Sequence, residues 1–238
     1  MKLITVGTGS KGNCYLIENN DHYLALDAGC KWKDVQIACG FKTSNIDSCL
    51  ITHEHGDHCK YIKDFTKCGI TVYASDPVAE RLTESGGGHI RSVKVKHQTR
   101  IIGGCIIIPF DVPHEATSNS AYLIDFPNGE RILYVTDFEY IPLKLSRWRI
   151  NHFLIAVNRS DDIPDDDRAR EHRIRGHSSL EVVKDFLQAS MSDKCQNVIA
   201  CHLSGEYADE SKIIRELRDI CGDSVKVSIA HKGEKINL

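Results

Sequence analysis

Apolar residues recur along this chain in short runs, many alternating with polar positions, which is the pattern of strands buried on one or both faces. The runs predict strands near residues 2 to 7, 13 to 18, 22 to 27, 48 to 52, 71 to 74, 92 to 96, 105 to 112, 119 to 125, 131 to 136, 152 to 157, 196 to 201 and 225 to 229. Helical spacing interrupts them. Leu180, Val183, Phe186 and Leu187 fall on one face of a helix opened by the capping box Ser178-Ser179-Leu180-Glu181. Ile213, Ile214, Leu217 and Cys221 share a face of a later helix that opens near Asp209, and Asp76-Pro77 reads as a cap followed by proline at the first helical position. A strand-rich first half, then alternating strand and helix, predicts two packed sheets with helices outside: an α/β (α+β) fold built as a four-layer αββα sandwich. No linker or charge block divides the chain, and Gly86-Gly87-Gly88 falls between two short elements, so one domain over residues 1–238 is expected.

Composition narrows the class. With 41% hydrophobic and 26% charged residues in 238, the chain is ordinary globular material able to bury a sizeable core. Thirty-three acidic against 30 basic side chains give a formal charge of −3, which excludes a global basic field for nonspecific nucleic-acid binding but leaves room for a local basic groove. The longest apolar run, Cys105 to Phe110, is far short of the roughly 20 residues that span a bilayer. The first seven residues turn into a glycine-rich stretch too early for a signal peptide, so a cytoplasmic protein is expected, with no membrane contact. None of the ten cysteines forms a Cys-x-x-Cys pair, and in a chain of this length they are expected to be reduced, buried small hydrophobes.

The sharpest local signal is Thr52-His53-Glu54-His55-Gly56-Asp57-His58, directly after the strand end Cys49-Leu50-Ile51: four potential ligands in six positions. Imidazole and carboxylate suit zinc and its neighbours. His53 and His55, two residues apart, point the same way on extended backbone, while Asp57 and His58 curl round toward a second ion. The intervening Gly56 is expected to serve a tight bend. Three further donors share one context, each just beyond an apolar run: His114 after Ile106–Pro113, Asp137 after Ile132–Thr136 and His202 after Val198–Cys201. Polar ligands at strand ends converge on one edge of a sandwich, where an open site forms without burying unpaired charge.

These residues resemble the signature of the metallo-β-lactamase-fold hydrolases, His-x-His-x-Asp-His followed by a distant His, Asp and His. The stretch from Gly7 to Ile17, the turn Leu26-Asp27-Ala28-Gly29, Gly176-His177-Ser178-Ser179 and Ala200-Cys201-His202-Leu203-Ser204 resemble the YycJ/WalJ branch of that superfamily, and the likeness covers nearly the whole chain. The resemblance implies two divalent ions, zinc or manganese: His53, His55 and His114 on one, Asp57, His58 and His202 on the other, and Asp137 bridging. It implies phosphodiester hydrolysis by a metal-bridging hydroxide, in the branch as a 5′-to-3′ exonuclease on DNA. Asp27 would support the metal loop rather than ligate, and no Gly-x-Ser-x-Gly elbow offers a competing nucleophile.

Substrate clues lie between Asn158 and Ser178. Arg168, Arg170, Arg173 and Arg175, with His172, precede His177 and the start of a helix, a combination that favours anionic oxygens; the alternative is pairing with Asp161, Asp162 and Asp165 to Asp167 just before them. Asn158, Arg173, Arg175 and His177 are the candidate substrate contacts, and Asp57 and His177 the candidate catalytic residues, His177 as proton donor to the leaving oxygen. The chain departs from the branch at Asn158-Arg159-Ser160, where the branch carries an Asn-His pair. Lys144, Arg147 and Arg149 near Trp148 are either a strand path or a solvated face. Three other functions stay open: hydrolysis of a cyclic nucleotide or another small phosphodiester, hydrolysis of a lactone or thioester, and a metal-free scaffold. Exposed apolar strands leave room for a homodimer, by fold analogy alone, and no protein partner is indicated.

Overall fold

The structure, a computed structural model, describes residues 1–88, 90–116, 118–160 and 176–238. Arg168, Arg170, Arg173 and Arg175 therefore lie outside the described residues. Among those described, fourteen strands form two seven-stranded sheets. The first contains β1 (Lys2–Gly7), β2 (Cys14–Asn19), β3 (His22–Leu26), β4 (Ile46–Leu50), β5 (Thr71–Ser75) and β6 (Ile90–Val93) in sequential order, with β14 (Lys235–Asn237) outside β1. The second runs β13 (Lys226–Ile229), β12 (Asn197–Cys201), β11 (His152–Ala156), β10 (Arg131–Val135), β9 (Ser120–Asp125), β8 (Ile106–Asp111) and β7 (Thr99–Arg100). Both sheets are mixed. β3 to β6 are parallel in the first and β10 to β13 in the second, with antiparallel hairpins on the remaining side of each.

The alternation of side chains explains the layering. Leu3, Tyr15, Ile17, Leu26 and Leu50 of the first sheet join one core with Ile107, Tyr122 and Tyr134 of the second. The residues between them in sequence, Ile4, Leu16, Ala25 and Cys49, face the other way into a separate cluster with Val35, Phe65, Val78 and Leu82. Those four lie on or beside helices α1 (Trp32–Ala38), α3 (Ile62–Lys67) and α4 (Asp76–Glu84), α2 (Gly56–Cys59) being a single short turn. On the far side α5 (Leu180–Ser190) and α6 (Glu210–Cys221) bury Val183, Leu187, Ile213 and Leu217 against the second sheet. Helix, sheet, sheet and helix are the four expected layers.

Two caps differ from the sequence reading. Ser179, not Ser178, caps α5, accepting from Val182 N at 3.3 Å, because the Ser178 hydroxyl is bonded to Ala156 O at 2.7 Å and Asn158 Oδ1 at 2.9 Å. Likewise Ser75 occupies the cap position of α4 and Asp76 is its first residue, accepting a hydrogen bond from Ser92.

Candidate metal centre

Every predicted ligand stands just past the carboxyl end of a strand on one edge of the sandwich, where open α/β sheets bind their ligands. β4 ends at Leu50, and residues 51 to 55 continue it without regular structure, so that His53 and His55 leave the same side; α2 then turns Asp57 and His58 around. The parallel strands β10 and β12 end at Val135 and Cys201, delivering Asp137 and His202 to one level, and His114 follows β8. Asp137 and His202 each adopt left-handed backbone, φ 46° and 51°, a conformation costly for residues with a Cβ and concentrated at functional sites.

The seven donors fall into two facing clusters. His53, His55 and His114 offer nitrogens within 4.8 Å of one another, and so do donor atoms of Asp57, His58, Asp137 and His202. In the first, three rings meet edge-on with centroids 4.7, 4.8 and 5.0 Å apart, and His114 Nε2 lies 3.2 Å from His55 Nδ1. His53 Nε2 is buried there with no hydrogen-bond partner, an arrangement that costs free energy unless a cation fills the gap. Burial, reinforced by the neighbouring His58, holds the His53 pKa well below the usual histidine value, and burial pushes His114 down to about 4. Both are therefore neutral donors at physiological pH, the form a metal needs.

The second cluster carries the charge. His58 Nε2 lies 2.7 Å from Asp137 Oδ2 and 3.3 Å from Asp57 Oδ2, and His202 Nε2 is 3.4 Å from each of those oxygens. Burial alone would raise both carboxyls, but the imidazoles of His202 and His58 hold Asp57 and Asp137 well below the ordinary carboxylate range. Burial disfavours a charge on His58 too, yet Asp27 and Asp137 on either side keep its pKa well above normal. Carboxylates and imidazoles crowded together in this way mark a place where a divalent ion fits. The donor set thus suits two adjacent sites, nitrogen-rich on one side and carboxylate-rich on the other.

Residues 32–181 match the family described as Beta-lactamase superfamily domain. The chain belongs to the β-lactamase superfamily. Within this superfamily it is 25% identical over 226 residues to Exodeoxyribonuclease WalJ of Streptococcus pneumoniae, covering 86% of this chain and 82% of that protein. Its fold matches the metallo-β-lactamase fold protein YhfI from Bacillus subtilis with a TM-score of 0.74 and 15% identity, over 98% of each chain. It also matches a diphosphatase from the PhnP family, with a TM-score of 0.73 and 16% identity over 99% of this chain and 96% of that one. This superfamily member is accordingly a metallo-β-lactamase-fold hydrolase.

The superfamily scaffold here is braced as expected by Asp27, and by further residues whose role is invisible in the sequence. Asp27, fully buried at the end of β3, accepts from His58 Nδ1 at 2.7 Å, Tyr134 Oη at 2.6 Å and Thr52 N at 2.9 Å. Such carboxylate contacts fix which ring nitrogen is left for an ion. Asn13 reaches Asp57 Oδ2 at 3.3 Å and His58 Nε2 at 3.1 Å, and Thr8 Oγ1 accepts the backbone N–H of His202 at 2.8 Å. Asn119 holds the carbonyls of Thr136 and Asp137 at 2.8 and 2.6 Å. Of these, the sequence pointed to Asp27 alone.

Asn158 has a different place from the expected substrate contact. Its Nδ2 lies 3.2 Å from Asp137 Oδ1 and 2.9 Å from His202 Nδ1, and its Oδ1 accepts from Ser178 N at 3.0 Å and Ser178 Oγ at 2.9 Å. Buried and fully engaged, its amide orients the donors instead of facing a substrate. Half-buried His177 does stand at the site, its ring 6.3 Å from that of His202. Arg173 and Arg175 lie outside the described residues. Cys59 and Cys201, next to ligands, carry thiols that burial pushes up, Cys59 to about 11, so neither competes with His58 or His202 as a thiolate.

Proposed function

We propose that this chain is a dinuclear metal-dependent phosphodiesterase that degrades DNA from 5′ ends, with zinc the preferred ion and manganese the second. The observation that carries the reading is the pair of donor clusters at one strand-end edge, brought together where the rings of His53 and His58 lie with centroids 4.2 Å apart. Similarity to the WalJ exodeoxyribonuclease and the diphosphatase fold neighbour support the phosphorus-ester class. Ions held by His53, His55 and His114 and by Asp57, His58 and His202, with Asp137 shared, would lower the pKa of bound water and neutralise the oxygens of the reacting group. The chain's own part is to hold these donors rigid through Asp27, Asn13 and Asn158. Ten free thiols fit a reducing compartment, so we place the protein in the cytoplasm.

The test is one panel: purified protein with zinc or manganese, with and without chelator, against end-labelled linear and circular DNA, RNA and cyclic mononucleotides. Chelator-sensitive shortening of linear DNA from 5′ ends is the expected result. Opening of cyclic nucleotides with DNA left intact would move the assignment to a small-phosphodiester hydrolase.

His177 is the residue we assign to protonating the leaving oxygen. His177→Ala is expected to slow DNA cleavage by about 10²–10⁴-fold while costing far less with a p-nitrophenyl phosphodiester, whose leaving group departs as an anion. Equal losses on the two substrates would reduce His177 to a structural or phosphate-binding residue.

A further inference from the structure

Beside the metal centre the surface changes character. Of the five exposed large hydrophobic side chains among the described residues, two, Tyr140 at 50% exposure and Leu143 at 37%, lie on one four-residue shelf, residues 140–143. The shelf begins three residues after Asp137. It runs along the segment leading to His114, because Glu139 N donates to Pro113 O at 2.8 Å, and Pro113 immediately precedes that histidine. A groove flanks the shelf on each side. One, of about 410 Å³, is lined by Tyr140, Ile141, Val182 and Phe186; the other, of about 510 Å³, by Phe110, Val112, Pro113 and Leu143. Each groove holds one exposed ammonium, Lys144 in the first and Lys96 in the second, and neither has a carboxylate partner among the described residues. Each also holds one carboxylate, Asp185 and Asp111.

A solvent-facing aromatic ring beside one apolar groove, with a second groove across Pro142 and Leu143 and a cation in each, is the chemistry that holds an unpaired nucleobase and its two adjoining phosphates. The balanced charge means that stacking, not electrostatics, supplies most of the grip. We infer that the 140–143 shelf is a stacking platform for single-stranded DNA leading to the metal centre, Tyr140 taking a base and Lys96 and Lys144 the flanking phosphates. This deepens the phosphodiesterase reading and rests on it.

The measurement is fluorescence anisotropy of a short labelled oligothymidylate with chelator present, so that binding is read without cleavage. Wild-type protein is expected to bind, and Tyr140→Ala to bind about 5- to 150-fold more weakly, the effect of removing one base-stacking ring. Tyr140→Phe keeps the ring and is expected to match the wild type. Phe41→Ala, which removes a still more exposed aromatic ring elsewhere on the surface, is expected to leave binding alone. No binding by the wild type, full binding by Tyr140→Ala, or a Tyr140→Phe defect as large as that of alanine each overturns the platform. Hydrolysis of bis(p-nitrophenyl) phosphate by the wild type, measured alongside, separates the two levels. If the ester is cut and binding ignores Tyr140, only the platform falls; if the ester is not cut, the phosphodiesterase reading falls and takes the platform with it.

Discussion

Asp137→Asn is expected to lower metal-dependent hydrolysis on the order of 10³-fold or more while leaving the fold intact, since an ion's charge stabilisation of a transition state contributes several kcal/mol. The side chain faces His58 and His202 of its own cluster through Oδ2, and its negative charge also acts on His53 and His114 of the other. Asparagine has the same shape, tolerates the left-handed backbone at this position, and can still bond to Asn158 through its remaining oxygen. It replaces an anionic donor by a neutral one. Elemental analysis of the purified variant should show less than the wild-type complement of ions, with an unchanged circular dichroism spectrum. Full metal content together with a wild-type rate would remove Asp137 from the centre.

The largest expected structural effect is at a residue that touches no ligand side chain. A Cβ on Gly29 would sit 1.7 Å from Asp57 O and 2.8 Å from Asn13 N, where nothing can yield without moving the backbone of the metal loop. That backbone is stitched to the turn by Asn13 N to Asp57 O at 2.7 Å and Ala28 N to His58 O at 2.7 Å. Gly29→Ala is therefore expected to destabilise by about 2–4 kcal/mol, the upper range for overpacking, which in a chain of this size is a drop of roughly 5–15 °C in Tm. Gly56, inside the ligand motif itself, is the contrast. It opens α2 with nothing within 4 Å of an added Cβ and without a positive φ, so the bend there does not require glycine and Gly56→Ala should melt like the wild type. Differential scanning calorimetry of the two variants checks both halves. Equal melting temperatures would mean that the loop relaxes freely.

The contrast between these glycines shows what the sequence makes legible. Strand positions were readable because buried strands leave apolar runs and alternation that survive without knowledge of the partner strand; β7 and β14 escaped, being two and three residues long and largely polar. α1 to α3 escaped for a related reason: each is four to seven residues long, too short for a helical face to emerge. Ligands could be read because histidine density after a strand has few competing explanations. Their bracing, Asp27 apart, could not. Asn13 meets His58 across 45 positions and Thr8 meets His202 across 194, and Tyr134 looks like any core tyrosine until Asp27 is placed beside its hydroxyl. Proximity to the ligands singles out Gly56, whereas the position where only glycine fits is Gly29, distant in sequence.

The hydrogen bond from Tyr134 to Asp27 also bears on the order of events in folding. It joins the second sheet to the first, and the donors themselves are scattered from His53 to His202, so both halves must have docked before an ion finds its full set of ligands. An ion that recognises only the finished arrangement does not hasten the search for it. It stabilises the native state by mass action, and kinetically its effect lies on the escape from that state. Chelation should accordingly shorten the lifetime of the folded protein while leaving the refolding rate where it was, so that the metal behaves as a late clasp and not as a template.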